Sequence, residues 1–183
     1  MNQDYTPLDY ADILAQHLKQ VQMPDRILDY YQVDRCIIDK PEKRVYQLTR
    51  KEDGAQMILR VTEKGAQRAL EEKRILDRLN HPGIPKAFDA FEEEKSGMEY
   101  LVRSYMPGKT LREFQATYDG GRSKIPYYEV SGIALKLCEI LAHIHEQSPP
   151  VIHRDIKPDN IIIAPNGALA LIDFGISRQY RPD

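Results

Sequence analysis

The feature that most restricts how this sequence can fold is a polar octapeptide, His153-Arg154-Asp155-Ile156-Lys157-Pro158-Asp159-Asn160. Two apolar runs around Pro165-Asn166-Gly167 follow it at once, and then Asp173-Phe174-Gly175. Asn-Gly between short apolar runs signals a tight hairpin, and a hairpin returns the chain to the place it left. Asn160 and Asp173 are therefore expected at the same end of the hairpin, beside Asp155 and Lys157. A solvated loop would account for any one of these polar residues alone, but not for their return to one place.

The rest of the chain alternates between two periods. Leu8, Ala11, Leu14, Ala15, Leu18 and Val21 recur at helical spacing after Pro7, which predicts an amphipathic helix over 7–22, ended by Met23-Pro24. From Tyr30 to Val61 the runs RCII, RVYQLT and AQMILRV, separated by DKPEK and RKEDG, predict three antiparallel strands. Residues 66–80 return to helical period and place Ala69, Glu72, Leu76 and Leu79 on one face, so a glutamate sits on the buried side. His81-Pro82-Gly83 stops that helix; PKAFDAF and MEYLVRSYM then predict two strands joined by the acidic turn EEEKSG. Beyond the loop Tyr105-Met106-Pro107-Gly108, Thr110 is placed to cap a short helix, LREFQATY. Val130, Ile133, Leu137, Leu141 and Ile144 give a longer helix over 127–147 a strongly apolar face.

The octapeptide and the Asp-Phe-Gly triplet closely resemble the catalytic loop and metal-binding triplet of the eukaryotic-type (Hanks-type) serine/threonine protein kinases. Seven specified residues in order arise by chance at roughly one start position in 10⁹. The resemblance runs from about Tyr30 to the end of the chain. It implies an α+β, protein-kinase-like fold: a small lobe of five antiparallel strands with one helix, then the first part of a helical large lobe. It divides the chain into an N-terminal helical extension (1–29), a small lobe (30–104), and a hinge with a partial large lobe (105–183) that ends within the activation segment. In that family phosphoryl transfer needs a hydroxyl held in line with the γ-phosphate, and metal and cations around the phosphate charge. By resemblance Asp155 accepts or orients the substrate hydroxyl proton, Lys157 contacts the γ-phosphate, and Asn160 with Asp173 holds Mg²⁺. Val45, Ser104, Met106 and Ile162 match positions of the ATP site. Glu72 looks like the glutamate of the small-lobe helix, and YLVRSYMPG like the fifth strand and hinge. Lys157-Pro158 resembles the serine/threonine rather than the tyrosine branch. Small-molecule kinases of related fold usually place Gly where Arg154 stands and lack the Lys-Pro pair. His153, Phe174, Leu76 and Ala87 match the stacked residues that link the lobes.

The departures from the family pattern all concern nucleotide binding. The first glycine of the chain is Gly54, so the family's G-x-G-x-x-G loop is absent. Aligning Val45-Tyr46 with the family's Val-Tyr puts Ile38, Lys40 and Lys43 at the three glycine positions, where side chains obstruct close approach to phosphate. Met57-Ile58-Leu59-Arg60 stands for Val-Ala-Ile-Lys: Arg60 replaces the lysine that pairs with the helix glutamate, and a planar fork is no substitute for a compact ammonium. Ile58 replaces an alanine that makes room for adenine. Ser104 replaces the usual hinge glutamate, and Arg103 takes the gatekeeper position, where a buried cation needs a partner such as Glu72. In the with-no-lysine kinases the catalytic lysine stands where Lys43 stands here. The residue pattern itself favours a plainer role for Lys43, as a solvent-facing lysine in a basic turn with Lys40 and Arg44.

Twenty-six Lys plus Arg against 28 Asp plus Glu, a formal net charge of -2, provide no global attraction for nucleic acid or an anionic membrane. Cys36 and Cys138 lack metal-site spacing and read as cytosolic free thiols, and no stretch approaches spanning length, so a cytoplasmic protein is expected. ATP and Mg²⁺ are the implied cofactors, and a protein substrate or regulatory protein the implied partner. The alternative to an enzyme is a pseudokinase-like binding module, favoured by Arg60, Ile58, Arg103 and the missing glycines. Because the chain ends eight residues after Gly175, the apolar face of 127–147 is expected to be uncovered and to drive homo-oligomerisation, with the N-terminal helix as an available cover.

Overall fold

The computed structural model describes residues 10–65, 68–118 and 124–180. It opens with two helices, α1 (Tyr10–Gln20) and α2 (Asp25–Tyr30), and then two strands, β1 (Tyr31–Lys40) and β2 (Lys43–Arg50), joined by a two-residue turn. Strand β3 (Gln56–Glu63), helix α3 (Ala69–Leu76), β4 (Ala87–Glu93) and β5 (Met98–Ser104) complete a five-stranded antiparallel sheet in the order β1-β2-β3-β5-β4. The five predicted strands and the helix among them are all present. Residues 7–9 and 66–67 of the two expected helices lie outside the described residues.

Alternation along β3 explains the two faces of this sheet. Met57, Leu59 and Val61 join Tyr46, Leu48, Tyr100 and Val102 on the outer face, where Met23, Ile27 and Tyr31 cover them with Leu18 and Val21 packed alongside. The N-terminal helices thus cap the small lobe, held also by His17 Nε2 and Tyr46 Oη at 2.9 Å and by Arg26, which is bidentate to Asp89 at 2.7 and 2.9 Å. This corrects the expectation that the N-terminal helix is free to cover the large lobe. Helix α2 was not anticipated, because six residues with one buried side chain, Ile27, are too few to show a period.

The inner face of the sheet receives α3. Ala69, Glu72, Leu76 and Leu79, the face expected from spacing, are all at least nine-tenths buried. Glu99 of β5 fixes the start of α3: its carboxylate accepts from the Ala69 N–H at 2.7 Å, a donor the helix leaves unpaired, and from the Gly65 N–H in the preceding turn at 3.1 Å.

The second lobe follows through β6 (Lys109–Thr110), α4 (Leu111–Ala116), α5 (Tyr127–His145), β7 (Val151–Ile152), a 3₁₀ turn (Pro158–Asn160), the hairpin β8 (Ile161–Ile163) and β9 (Leu169–Leu171), and β10 (Arg178–Gln179). Thr110 and Glu113 form a capping box at α4, as Thr110 promised. Along α5, Ile140 and Ile144 are buried against a core that includes Ile75, Leu79, Ile84, Leu169, Leu171 and Phe174, with Ile133, Leu137 and Leu141 partly covered. The expectation of an uncovered α5 face is therefore corrected over its C-terminal half. Tyr127, Tyr128, Val130 and Leu135 at its N-terminal half are exposed.

Candidate active site

A cleft of about 390 Å³ lies between the lobes, roofed by Ile38, Lys43, Val45, Ile58 and Arg60 and floored by Lys157, Asn160, Ile162, Ile172 and Asp173. The roof follows from strand register. Ile38 pairs with Val45 across β1 and β2, Val45 with Arg60 across β2 and β3, and Ile58 with Arg103 across β3 and β5. Lys43, two residues before Val45, shares its face.

The hairpin brings the floor together as expected. Ile172 N–H donates to the Asn160 carbonyl at 2.9 Å, seating Asp173 beside Asn160. Asn160 Nδ2 donates to Asp155 O and Oδ2, both at 2.9 Å, and Lys157 Nζ lies 2.7 Å from Asp155 Oδ2, a contact that raises the Lys157 pKa. The second Asp155 oxygen makes no hydrogen bond among the described residues. Arg112 of α4 grips Asp159 with two bonds at 2.6 and 2.7 Å and braces this loop, a contact that no local pattern announced across 47 residues of chain.

Roof and floor meet at Asp173. Lys43 Nζ is 2.9 Å from its Oδ2, and Arg60 Nη1 is 3.3 Å from its Oδ1 and 2.5 Å from Glu72 Oε2. Burial alone would raise the Asp173 pKa, but Lys43 and Arg60 hold it down at about 2. Burial raises that of Glu72, with Arg60 opposing. The other Glu72 oxygen accepts from the Phe174 N–H at 3.2 Å, tying α3 to the triplet. Of the two partners expected for Glu72, Arg60 is the one paired with it. Lys43 is not a solvated turn lysine: it spans the cleft to a carboxylate 130 residues on.

Arg103 is partly buried, forms no carboxylate pair among the described residues, and only approaches Ser104 O at 3.5 Å. Met106 and Ile162 line the cleft with Tyr105, but the Ser104 hydroxyl is turned away and accepts from the Lys86 N–H at 3.0 Å. Behind the triplet, Phe174 meets His153 edge-on at 4.6 Å, and both are buried with Leu76, with Ala87 packed against the same cluster. Burial lowers the His153 pKa; a neutral ring with its proton on Nε2 serves both Ile172 O and the Asp155 N–H.

A capped helix glutamate paired with a strand cation, and a loop aspartate, asparagine and triplet aspartate meeting below it, are the marks of a protein kinase. Residues 43–183 match the protein kinase domain, and the chain belongs to that family. It is 38% identical over 102 residues to the serine/threonine-protein kinase PknB of Mycobacterium leprae, covering 55% of this chain and 15% of that protein. It is 32% identical over 157 residues to serine/threonine-protein kinase 36 of Pongo abelii, covering 82% of this chain and 11% of that protein. A third relative, the serine/threonine-protein kinase stk11 homolog of Dictyostelium discoideum, is 34% identical over 115 residues, covering 63% of this chain and 19% of that protein. The chain thus spans less than a fifth of the length of each of these relatives.

Proposed function

We propose that this chain forms the nucleotide cleft and catalytic loop of a serine/threonine protein kinase, transferring the γ-phosphoryl group of a nucleoside triphosphate, ATP in the family, to a protein hydroxyl. The observation that supports this best is the convergence of Asp155, Lys157, Asn160 and Asp173 on one side of a cleft whose other side presents Lys43 and Arg60. Asp155 keeps one oxygen for the incoming hydroxyl while Lys157 and Asn160 hold the other, which orients it as a proton acceptor. Lys157, Lys43 and Arg60 supply positive charge where phosphate oxygens would lie. The Asp173 carboxylate and the Asn160 side-chain oxygen are hard donors of the kind Mg²⁺ takes, and the Asn160 nitrogen is already engaged by Asp155, so the donor set fits that ion once Lys43 and Arg60 yield the Asp173 oxygens to it. When bound, Mg²⁺ would supply neutralisation of the polyphosphate charge.

Thermal shift with millimolar ATP, with and without Mg²⁺, tests the reading. A ligand at a hundredfold excess over its Kd adds about 2.7 kcal/mol. No shift would favour the second reading, a pseudokinase-like binding module, for which the specific support is that Lys43 and Arg60 both occupy the Asp173 carboxylate. Where a shift is seen, phosphate transfer to a generic protein substrate should be lost in Asp155→Asn.

The division at residues 30 and 105 into extension, small lobe and large lobe belongs to the same proposal, as does a protein substrate or regulatory partner. Among the described residues no helix is long and apolar enough to cross a membrane; a cytoplasmic location is the reading we adopt. Homo-oligomerisation through α5 rests on exposed Tyr127, Tyr128, Val130 and Leu135. Light scattering at micromolar concentration decides it, and a monodisperse monomer would exclude it.

A further inference from the structure

Among the described residues two arginines line the cleft without a carboxylate: Arg35, whose Nε donates to Gln47 Oε1 at 2.8 Å, and Arg103, which has no side-chain partner. Lys43 and Arg60 share Asp173, and Arg60 also holds Glu72, so both buried acids are taken. Arg103, one strand over, lines the same cavity with no carboxylate within salt-bridge distance among the described residues. Arg103 is partly buried and its one hydrogen bond, to Ser104 O at 3.5 Å, is long, so a ligand that supplies well-placed acceptors gains a charge-assisted pair there.

The shape of the cavity says where such acceptors must be. Its charged end is Lys43, Arg60, Lys157, Asn160 and Asp173. Its apolar lining is Val45 and Ile58 from the roof and Ile162 and Ile172 from the floor, aliphatic surface of the kind a flat ring stacks on. The end of β5 and the segment after it, Arg103, Tyr105 and Met106, line the same cavity. A base stacked on the aliphatic side chains could present its rim to the Arg103 fork, which lines the same cavity. Guanine presents two acceptors on one rim, O6 and N7, which a guanidinium engages bidentately; adenine presents N7 beside an N6 amino donor, which opposes the guanidinium N–H groups. A backbone acceptor beside Arg103, Ser104 O, already lies 3.5 Å from Arg103 Nη1.

We propose that Arg103 makes this cleft selective for 6-oxopurine nucleotides, so that GTP binds more tightly than ATP. The inference rests on the nucleotide-binding reading above and names the base it takes. Both nucleotides carry the same triphosphate, so their affinity ratio reports the base edge alone.

The test is calorimetric titration of the chain with GTP, ITP and ATP, each with Mg²⁺. GTP and ITP should bind on the order of tenfold more tightly than ATP, the discrimination of one bidentate pair. Arg103→Met, close in length and apolar, should remove the preference. Arg103→Lys, which keeps the charge but loses the fork, should lose most of it; melting temperatures confirm that both variants fold. ATP binding as tightly as GTP, or a preference that survives either substitution, overturns the proposal. If none of the three nucleotides binds, the nucleotide-binding reading itself fails and this inference falls with it.

Discussion

Replacing Asp173 by asparagine isolates the electrostatic coupling that closes the two lobes on each other. The backbone at Asp173 has φ of 67°. Asparagine tolerates this left-handed region as well as aspartate does, so the substitution removes charge without adding strain. In the native state Lys43 and Arg60 hold the carboxyl at about 2 against an unperturbed 3.8. At 1.36 kcal/mol per pKa unit, that depression amounts to roughly 2 kcal/mol of stability. For a chain of this size the loss corresponds to a fall in Tm of about 4–8 °C. A depressed carboxyl stabilises the fold fully above its unfolded pKa and loses that contribution as pH falls through its folded one. The gap between parent and Asp173→Asn should therefore be constant from neutrality down to 3.8, and narrow between 3.8 and about 2. Urea denaturation at neutral and acidic pH measures both quantities. A variant at least as stable as the parent at pH 7 would refute the reasoning, because it would mean that desolvating these charges outweighs their attraction.

Lys43→Ala should weaken nucleotide binding by about tenfold or more, the worth of a hydrogen bond to a charged group, while Arg60→Ala leaves more of the affinity. The reverse ranking by titration returns the phosphate contact to Arg60, and indifference to both favours the binding module. Gly108 has φ of +139°, and a Cβ there would overlap the Ile163 carbonyl oxygen, so Gly108→Ala should lose roughly 3 kcal/mol in urea denaturation. A loss under about 1 kcal/mol would mean that the β6–β8 pairing yields easily. Burial lowers the His153 pKa below 6.5, so as pH falls through 6.5 the unfolded chain takes up protons that the folded chain refuses, and stability should decline. His153→Gln should flatten part of that slope in Tm measured across the range, with His81, lowered likewise by burial, responsible for another part. An unchanged slope would show that His153 stays accessible to protons.

What the sequence determined by itself was local and periodic. The buried face Ala69, Glu72, Leu76 and Leu79 was legible because four residues at helical spacing report one another's direction. The meeting of Asn160 with Asp173 was legible because a tight hairpin has one geometry. Alternation also placed Lys43 and Val45 on one strand face, but not what that face would meet. Only packing of the two lobes put Asp173 there and turned a basic-turn lysine into its partner. The same limit hid the Glu99 carboxylate at the start of α3, the grip of Arg112 on Asp159, and the outward turn of the Ser104 hydroxyl. It also hid the cover over α5, where Ile140 and Ile144 pack on a core drawn from α3, Ile84 and the β8–β9 hairpin. Periodicity says which residues share a surface, because neighbours in the chain fix their relative direction. The partner of that surface is chosen by burial and charge summed over segments a hundred residues apart, and that choice exists only in the folded molecule.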